Sequence, residues 1–201
     1  MNLRLETEND YKETEHVTRE AFWNVYRPGC NEHLILHRLR KSSTFIKDLD
    51  YVVEEKGIII GNIIYTKMIK EGNICENIIA FGPVSVLPKF QNQGIGSLLI
   101  TKTLQRSKDL GFKAVLITGN PKYYKKFGFI SASKYSIHLP NFSIDDEAVF
   151  FMVKELEDGY LMKHSGTYSF DTNFDSSDLE LENFEKQFPY KKKRDSKPSD
   201  L

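Results

Sequence analysis

Cysteine is scarce in this chain of 201 residues, which holds only Cys30 and Cys75. Two lone thiols support neither a disulfide framework nor a zinc site, and a reducing compartment is the expected setting. Long apolar runs are missing as well. No stretch approaches the ~18 apolar residues of a membrane-spanning helix, and the opening MNLRLETEND has no apolar core of an export signal. Neither sign of charge is in excess, because 28 Lys and Arg face 28 Asp and Glu. The chain as a whole therefore sets up no field to gather nucleic acid or an anionic membrane. A cytoplasmic protein is expected, with neither membrane nor nucleic acid as its partner.

What is present suits one folded unit with an appendage. Hydrophobic residues at 40% and aromatics at 12% are enough for a sizeable core. Leu3 and Leu5 alternate with Arg4 and Glu6 as in a short strand. TENDYKETEHVTREAFWNVY reads as a helix, capped by Thr7 or Asn9, and RPGCN breaks it. EHLILHRLRKS resumes a helical pattern. YVVEE and GIIIGNIIYTKMIKE are β-branched and meet at Lys56–Gly57, a hairpin signal. NICENIIAFGPVSVLP reads as another strand, with Gly82–Pro83 in its middle predicting a bulge or a splayed edge. A helix closed by Gly111, the strand KAVLIT, a brief helix in NPKYYKKFGF and the strand EAVFFMVKEL follow, with GYLMKHSGTYSF a candidate for one more. From Asp171 the chain turns polar and charge-blocked, so residues 171–201 are expected to form one short helix and then a loose tail.

The stretch PKFQNQGIGSLLI puts Gly94 and Gly96 where a strand feeds a helix. Glycine is a poor helix former. Here it leaves several backbone N–H groups bare at the positive end of the helix dipole, a ready site for an anion. A P-loop would need Gly-Lys-Ser/Thr, but Ser97 and Leu98 follow Gly96. A dinucleotide fingerprint would need a third glycine in an early βαβ unit. Gln91-x-x-Gly94-x-Gly96 in mid-chain remains.

That pattern resembles the pyrophosphate loop of the GNAT superfamily of N-acetyltransferases, and the resemblance runs over roughly residues 1–170. LRLETENDYKETEHVTREAF is similar to the family's first strand and helix, GPVSVLPKFQNQGIGSLLI to its fourth strand, loop and third helix, and YYKKFGF to its closing Tyr-x-x-x-Gly-Phe. A bacterial subgroup of predicted acetyltransferases with GNPKYYKKFGF-like and GYLMKHSG-like stretches looks nearest. The resemblance implies an α+β fold layered α/β/α, with a mixed, mostly antiparallel sheet of about six or seven strands splayed at the fourth. It implies an acetyl-CoA-dependent N-acetyltransferase without a metal, acting on a small-molecule or protein amine. A homodimer is compatible with it. So is a catalytically idle acyl-CoA sensor on the same fold.

On this reading the amides of Gln93, Gly94, Ile95, Gly96 and Ser97, with Gln91, hold the coenzyme's diphosphate. Val84, Ser85 and Val86 lie along its pantetheine arm, and Lys125 or Lys89 meets its 3′-phosphate. Tyr124 matches the family's catalytic tyrosine, a phenol able to protonate the departing thiolate. Tyr123 and plain packing are its competitors. Asn120 stands closer to Tyr124 than the asparagine of many relatives, which puts a cofactor role for it in doubt. Trp23 and Tyr26 fall where relatives line the acceptor. Ala80 occupies the position of the glutamate that some relatives use as base, and Glu76 lies about 13 Å from it along an extended strand, so the proton is left to a water relay or Ser85, or the amine arrives already neutral, and no base is assigned. His33 and His37 at helical spacing read as solvated or half-buried rather than ligating, Cys30 as inert, and YKKKR at residues 190–194 as a solubilising end.

Overall fold

The computed structural model describes residues 1–142 and 148–196. Strand β1 (Asn2–Leu5) leads to helices α1 (Tyr11–Phe22) and α2 (Glu32–Leu39). The hairpin of β2 (Tyr51–Glu55) and β3 (Ile58–Lys70) follows, then β4 (Asn73–Val86), α3 (Ile95–Asp109) and β5 (Ala114–Thr118). The rest comprises α4 (Pro121–Tyr124), β6 (Ile130–Ser131), β7 (Ile137–His138), β8 (Phe151–Glu155), β9 (Gly166–Ser169) and α5 (Asp178–Glu185). Lys56 and Gly57 both take positive φ at the hairpin tip, as the two-residue turn requires. Thr7 caps a short 3-10 turn over Glu8–Asp10 rather than α1 itself, which begins after it.

Seven strands form one path in the order β1-β2-β3-β4-β5-β8-β6, antiparallel throughout except for the parallel β4–β5 pair. Strand β9 adds to the far end of β3 and pairs with β7. Period-two alternation divides the core. Ile79 and Phe81 of β4 pack with Leu99, Ile100 and Leu104 of α3, whereas Ile78 and Ala80 face the opposite layer. Strand β5 is apolar on both faces, Val115 and Ile117 on one and Ala114 and Leu116 on the other. That is why its sequence is continuous rather than alternating. Among the described residues no helix is long and apolar enough to cross a membrane.

The splay lies in β4. Gly82 and Pro83 together oppose Ile64, since the register steps from Phe81↔Tyr65 to Val84↔Ile63. Parallel pairing to β5 ends at Ala80↔Leu116, while β5 runs on beside β8 through Thr118. Beyond Ala80, β4 keeps β3 and parts from β5.

A buried ionic cluster fastens α1 and α2 to the start of the sheet. Arg40 donates to Glu6 at 2.8 and 3.1 Å, to Glu15 at 3.1 Å and to the Thr14 hydroxyl at 2.6 Å. Its guanidinium also lies over the Tyr11 ring. Burial, with Glu6 beside it, pushes the Asp50 carboxyl well above the usual carboxylate range.

The C-terminal extension is docked rather than loose up to Arg194. Ser177 and Glu180 form a capping box on α5, and Leu181 and Phe184 pack on Leu34 and Phe188. Arg19 grips the Glu185 carboxylate at 2.8 Å, and His33 Nε2 lies 2.7 Å from it. His33 is thus enclosed by Phe184, Phe188 and Glu185, while Cys30 is buried with its thiol pKa pushed up by desolvation. Burial would raise the Glu185 carboxyl, but His33 and Arg19 outweigh it and hold it at about 2.

Two outcomes are expected. Arg40→Met strands two buried carboxylates and should lower stability by about 3–5 kcal/mol in urea unfolding; a loss below about 1 kcal/mol would mean that the cluster does not hold the helices. A depressed carboxylate stabilises above its ordinary value of 4.5 and loses that contribution as pH falls towards 2. The emission of Trp23, the single tryptophan, should therefore shift across that window, and Glu185→Gln should flatten the shift.

Candidate active site

Where β4 and β5 part, a cleft of about 640 Å³ opens between β4, the start of α3, α4 and the loop after α1. Its floor is backbone. Leu87 N–H bonds to Ile60 O at 2.9 Å. By the alternation of an antiparallel ladder, the amides and carbonyls of Val84 and Val86 then point away from β3 towards the missing strand. Among the described residues no strand pairs with that side of β4 past Ala80. The Val86 carbonyl accepts the Gln91 side-chain amide at 3.0 Å, which ties the glycine loop to the splayed edge.

The opposite wall begins at Gly94, the N-cap of α3, where φ of +87° suits glycine and no side chain caps the helix. The first intrahelical bond is Leu98 N–H to Gly94 O at 2.9 Å, so the amides of Ile95, Gly96 and Ser97 have no acceptor inside the helix. A Cβ on Gly96 would stand 3.2 Å from the Tyr123 hydroxyl and 3.8 Å from Val86. A side chain there would plug the gap between loop and sheet. Bare amides, the dipole end of a 15-residue helix and an uncapped first turn together fit a diphosphate.

Tyr124 lines the cleft from α4, held among Phe81, Phe127 and Phe129 with ring centroids 5.9–6.4 Å away. Gly119 makes room for its ring, since a Cβ there would sit 2.4 Å from it. The hydroxyl has no hydrogen-bond partner among the described residues. Burial first, then the neighbouring phenols of Tyr123 and Tyr26, push its pKa up to about 12. It is a neutral proton donor throughout the physiological range. Asn120, also in the lining, is the N-cap of α4 and accepts from Lys122 N–H at 3.0 Å.

Val84, Val86, Gln91, Gly94, Ile95, Gly96, Ser97, Tyr124 and Tyr26 all meet in this lining. Four expected residues do not. Ser85 faces the other side of the sheet by alternation and donates to the Thr18 hydroxyl at 2.9 Å, so its side chain is no relay for the cleft. The Gln93 side chain turns back to the Lys89 carbonyl, leaving only its backbone near the loop. Trp23 is turned under the C-terminal extension, with Arg19 over its ring at 4.2 Å. Lys125 points to solvent. The cation at the cleft is Lys126, which donates to Ser97 Oγ at 3.1 Å and lies 4.0 Å above the Tyr123 ring. Lys126 lies in the 3-10 turn after α4 (Lys125–Phe127), three residues beyond Tyr123. Glu76 is spent on Lys67 at the surface, and Ala80 is buried between Thr66 and Leu116. Among the described residues no carboxylate lines the cleft. Phe22, Val25 and Phe90 are lining residues that carried no recognisable signal of their own.

The architecture has close counterparts. A family model described as acetyltransferase (GNAT) domain matches residues 47–131. The uncharacterised N-acetyltransferase YhbS of Escherichia coli K12 is 24% identical over 137 residues, 68% of this chain and 78% of that protein. The crystal structure of YhbS in complex with CoA superposes with a TM-score of 0.75 at 22% identity, covering 86% of this chain and 91% of that one. A GNAT family acetyltransferase of Brucella melitensis, crystallised with acetyl-CoA, gives 0.71 at 27% identity, covering 87% and 97%. Residues 47–131 thus match a GNAT acetyltransferase domain, and with its splayed fourth strand and its glycine loop the chain shares the fold of YhbS as a distant relative.

Proposed function

We propose that the protein transfers an acetyl group from acetyl-CoA to a primary amine by direct attack of the amine on the thioester. One observation carries the reading: the unpaired edge of β4 faces an uncapped helix start across one cleft, with a protonated tyrosine beside it. The amides of residues 93–97 hold the diphosphate, and Gln91 keeps the loop at the right distance from the sheet. The Val84 and Val86 backbone pairs with the pantetheine arm as a strand would, and the Val84 amide donates to the thioester carbonyl as negative charge develops there. The C–N bond forms, the C–S bond breaks, the thiolate takes the proton of Tyr124, and the proton shed by the new amide nitrogen returns to the phenolate through water. Burial that raises the phenol also raises the thiol, so the proton still moves between groups of similar affinity. Lys126 supplies the positive charge that was expected from Lys125. The two relatives crystallised with the coenzyme or its acetyl form support this use of the cleft.

With no carboxylate in the lining among the described residues, the ammonium proton leaves to water before attack. The rate therefore follows the neutral fraction of the amine, whose ordinary pKa is about 10.4. A second reading, an acyl-CoA sensor without turnover, is favoured by that same absence of a base.

Acetyl-CoA at a hundredfold excess over its Kd should stabilise the fold by about 2.7 kcal/mol, read as a rise in Tm, and no rise at millimolar concentration would end the proposal. Gly96→Val, which fills the gap, should weaken that binding at least tenfold. Tyr124→Phe should keep the binding while thiol release falls by about a hundredfold or more; a wild-type chain that binds but turns over no amine would be the sensor. For the wild type, log kcat/KM should climb with unit slope from pH 7 to 9.5 and show no falling limb below the Tyr124 value of about 12. A plateau from pH 7 would reveal a base on the protein.

A further inference from the structure

The C-terminal extension lies outside the matched GNAT domain, yet it is tied to a loop that lines the cleft. That loop, residues 23–30, carries Val25 and Tyr26 into the cleft lining beside Phe22. Both are exposed, 54% and 68%, so packing beneath them does not hold the loop in place. Hydrogen bonds do, and they converge on Asn24.

Asn24 sits at φ of +63°, a conformation that asparagine tolerates better than most residues. Its amide donates to the Gly29 carbonyl at 2.8 Å, and its side-chain oxygen accepts from Gly29 N–H at 2.8 Å, which closes the loop. The same oxygen accepts from Arg194 N–H at 3.0 Å, and the Asn24 carbonyl accepts from Arg194 Nε at 3.0 Å. The side-chain amide donates to the Lys192 carbonyl at 3.3 Å, and Trp23 Nε1 donates to that carbonyl at 3.0 Å. Just upstream, Lys191 pairs with Glu20 on the last turns of α1 at 2.6 Å, and Arg19 reaches the Pro189 carbonyl at 3.2 Å. The strap is thus read mostly through its backbone, so it has a defined register on the loop. The basic run expected to be a solubilising end is instead a seam.

Taking the proposed acetyl transfer as given, we propose that residues 189–194 are a built part of the acceptor wall: they hold the loop so that Phe22, Val25 and Tyr26 present an apolar, carboxylate-free surface suited to a primary amine with an aromatic or alkyl body. Asn24 and Trp23 are positioning residues that transmit the strap to Tyr26. Among the described residues no carboxylate in this lining would pair with a second ammonium group, and Lys126 would repel one, so diamines and polyamines are disfavoured. Tyr26 and Tyr124 line the same cleft, which puts the apolar wall in one site with the proposed acid.

The test uses the full chain with Trp23→Phe, which keeps a ring under Arg19 but removes the donor to Lys192, and Asn24→Gly, which keeps the backbone conformation but removes the side chain. Hydrogen exchange is read at residues 25–29 and at 95–98. Kinetics use 2-phenylethylamine, n-hexylamine and 1,6-diaminohexane, with acetyl-CoA affinity measured separately. Exchange at residues 25–29 should quicken at least tenfold in the double variant with residues 95–98 unchanged. KM for the two monoamines should rise at least tenfold, with kcat and acetyl-CoA affinity each within twofold. In the wild type the diamine should show kcat/KM at least tenfold below hexylamine. Unchanged exchange at residues 25–29 would overturn the strap whatever the enzyme does, and equal losses in coenzyme affinity and amine KM would reduce it to general stability. A diamine used as well as hexylamine would overturn the acceptor class. A wild type that turns over no amine in a broad panel, while its exchange behaves as stated, would overturn the acetyl-transfer reading and with it the acceptor wall, leaving the strap as a structural tie only.

Discussion

The parting of β4 from β5 after Ala80 is the constraint on which the site rests. A buried strand must pair its amides and carbonyls, and nearly all do in folded proteins. Here the bulge at Gly82–Pro83 turns β4 out of line with β5 while β3 still holds it. The edge so exposed faces a cleft instead of a neighbour. It asks for a ligand with alternating hydrogen-bonding groups, which is what an amide-bearing arm offers. The helix start across the gap asks for an anion at the far end of the same ligand. One break in one ladder thereby sets both the position and the direction of what can bind.

The chemistry of the cleft follows from what surrounds it. Tyr124 is packed by Phe81, Phe127 and Phe129 and edged by Tyr123. Such a setting disfavours the phenolate and keeps the proton in place. Among the described residues the cation of the lining is Lys126, held by Ser97 and an aromatic face rather than by an acid. On the proposed acetyl transfer, that neutral acid and that positive charge would stabilise charge developing on the departing thiolate, and deprotonation of the amine would fall to the solvent.

Away from the cleft, charge is used to hold elements together. Arg40 binds two carboxylates out of water and joins α1, α2 and the first strand. Arg19 and His33 do the same for α5 through Glu185. Buried pairs of this kind fix geometry more than they add net stability, and both involve α1 and α2.

The sequence by itself determined the local order: the hairpin at Lys56–Gly57, the bulge at Gly82–Pro83, the glycines of the α3 start, the stop at Gly111 and the doubly covered strand at residues 114–118. Each is written in backbone preference or in a periodicity of two or 3.6, and both are properties of neighbouring residues. That Tyr124 and the 91–97 loop meet at one cleft was expected only through resemblance to a family's motifs, which set their spacing to Gly94, Gly96 and Gly128. The tertiary structure decided what spacing cannot carry. It brought Lys126 rather than Lys125 to the cleft lining, and it sent Ser85 to the far face by pleat parity. It turned Trp23 beneath a tail 169 residues away in the chain, and it made that polar tail a fixed strap. Those outcomes depend on contacts between segments with no common local pattern, and only the folded chain brings them together.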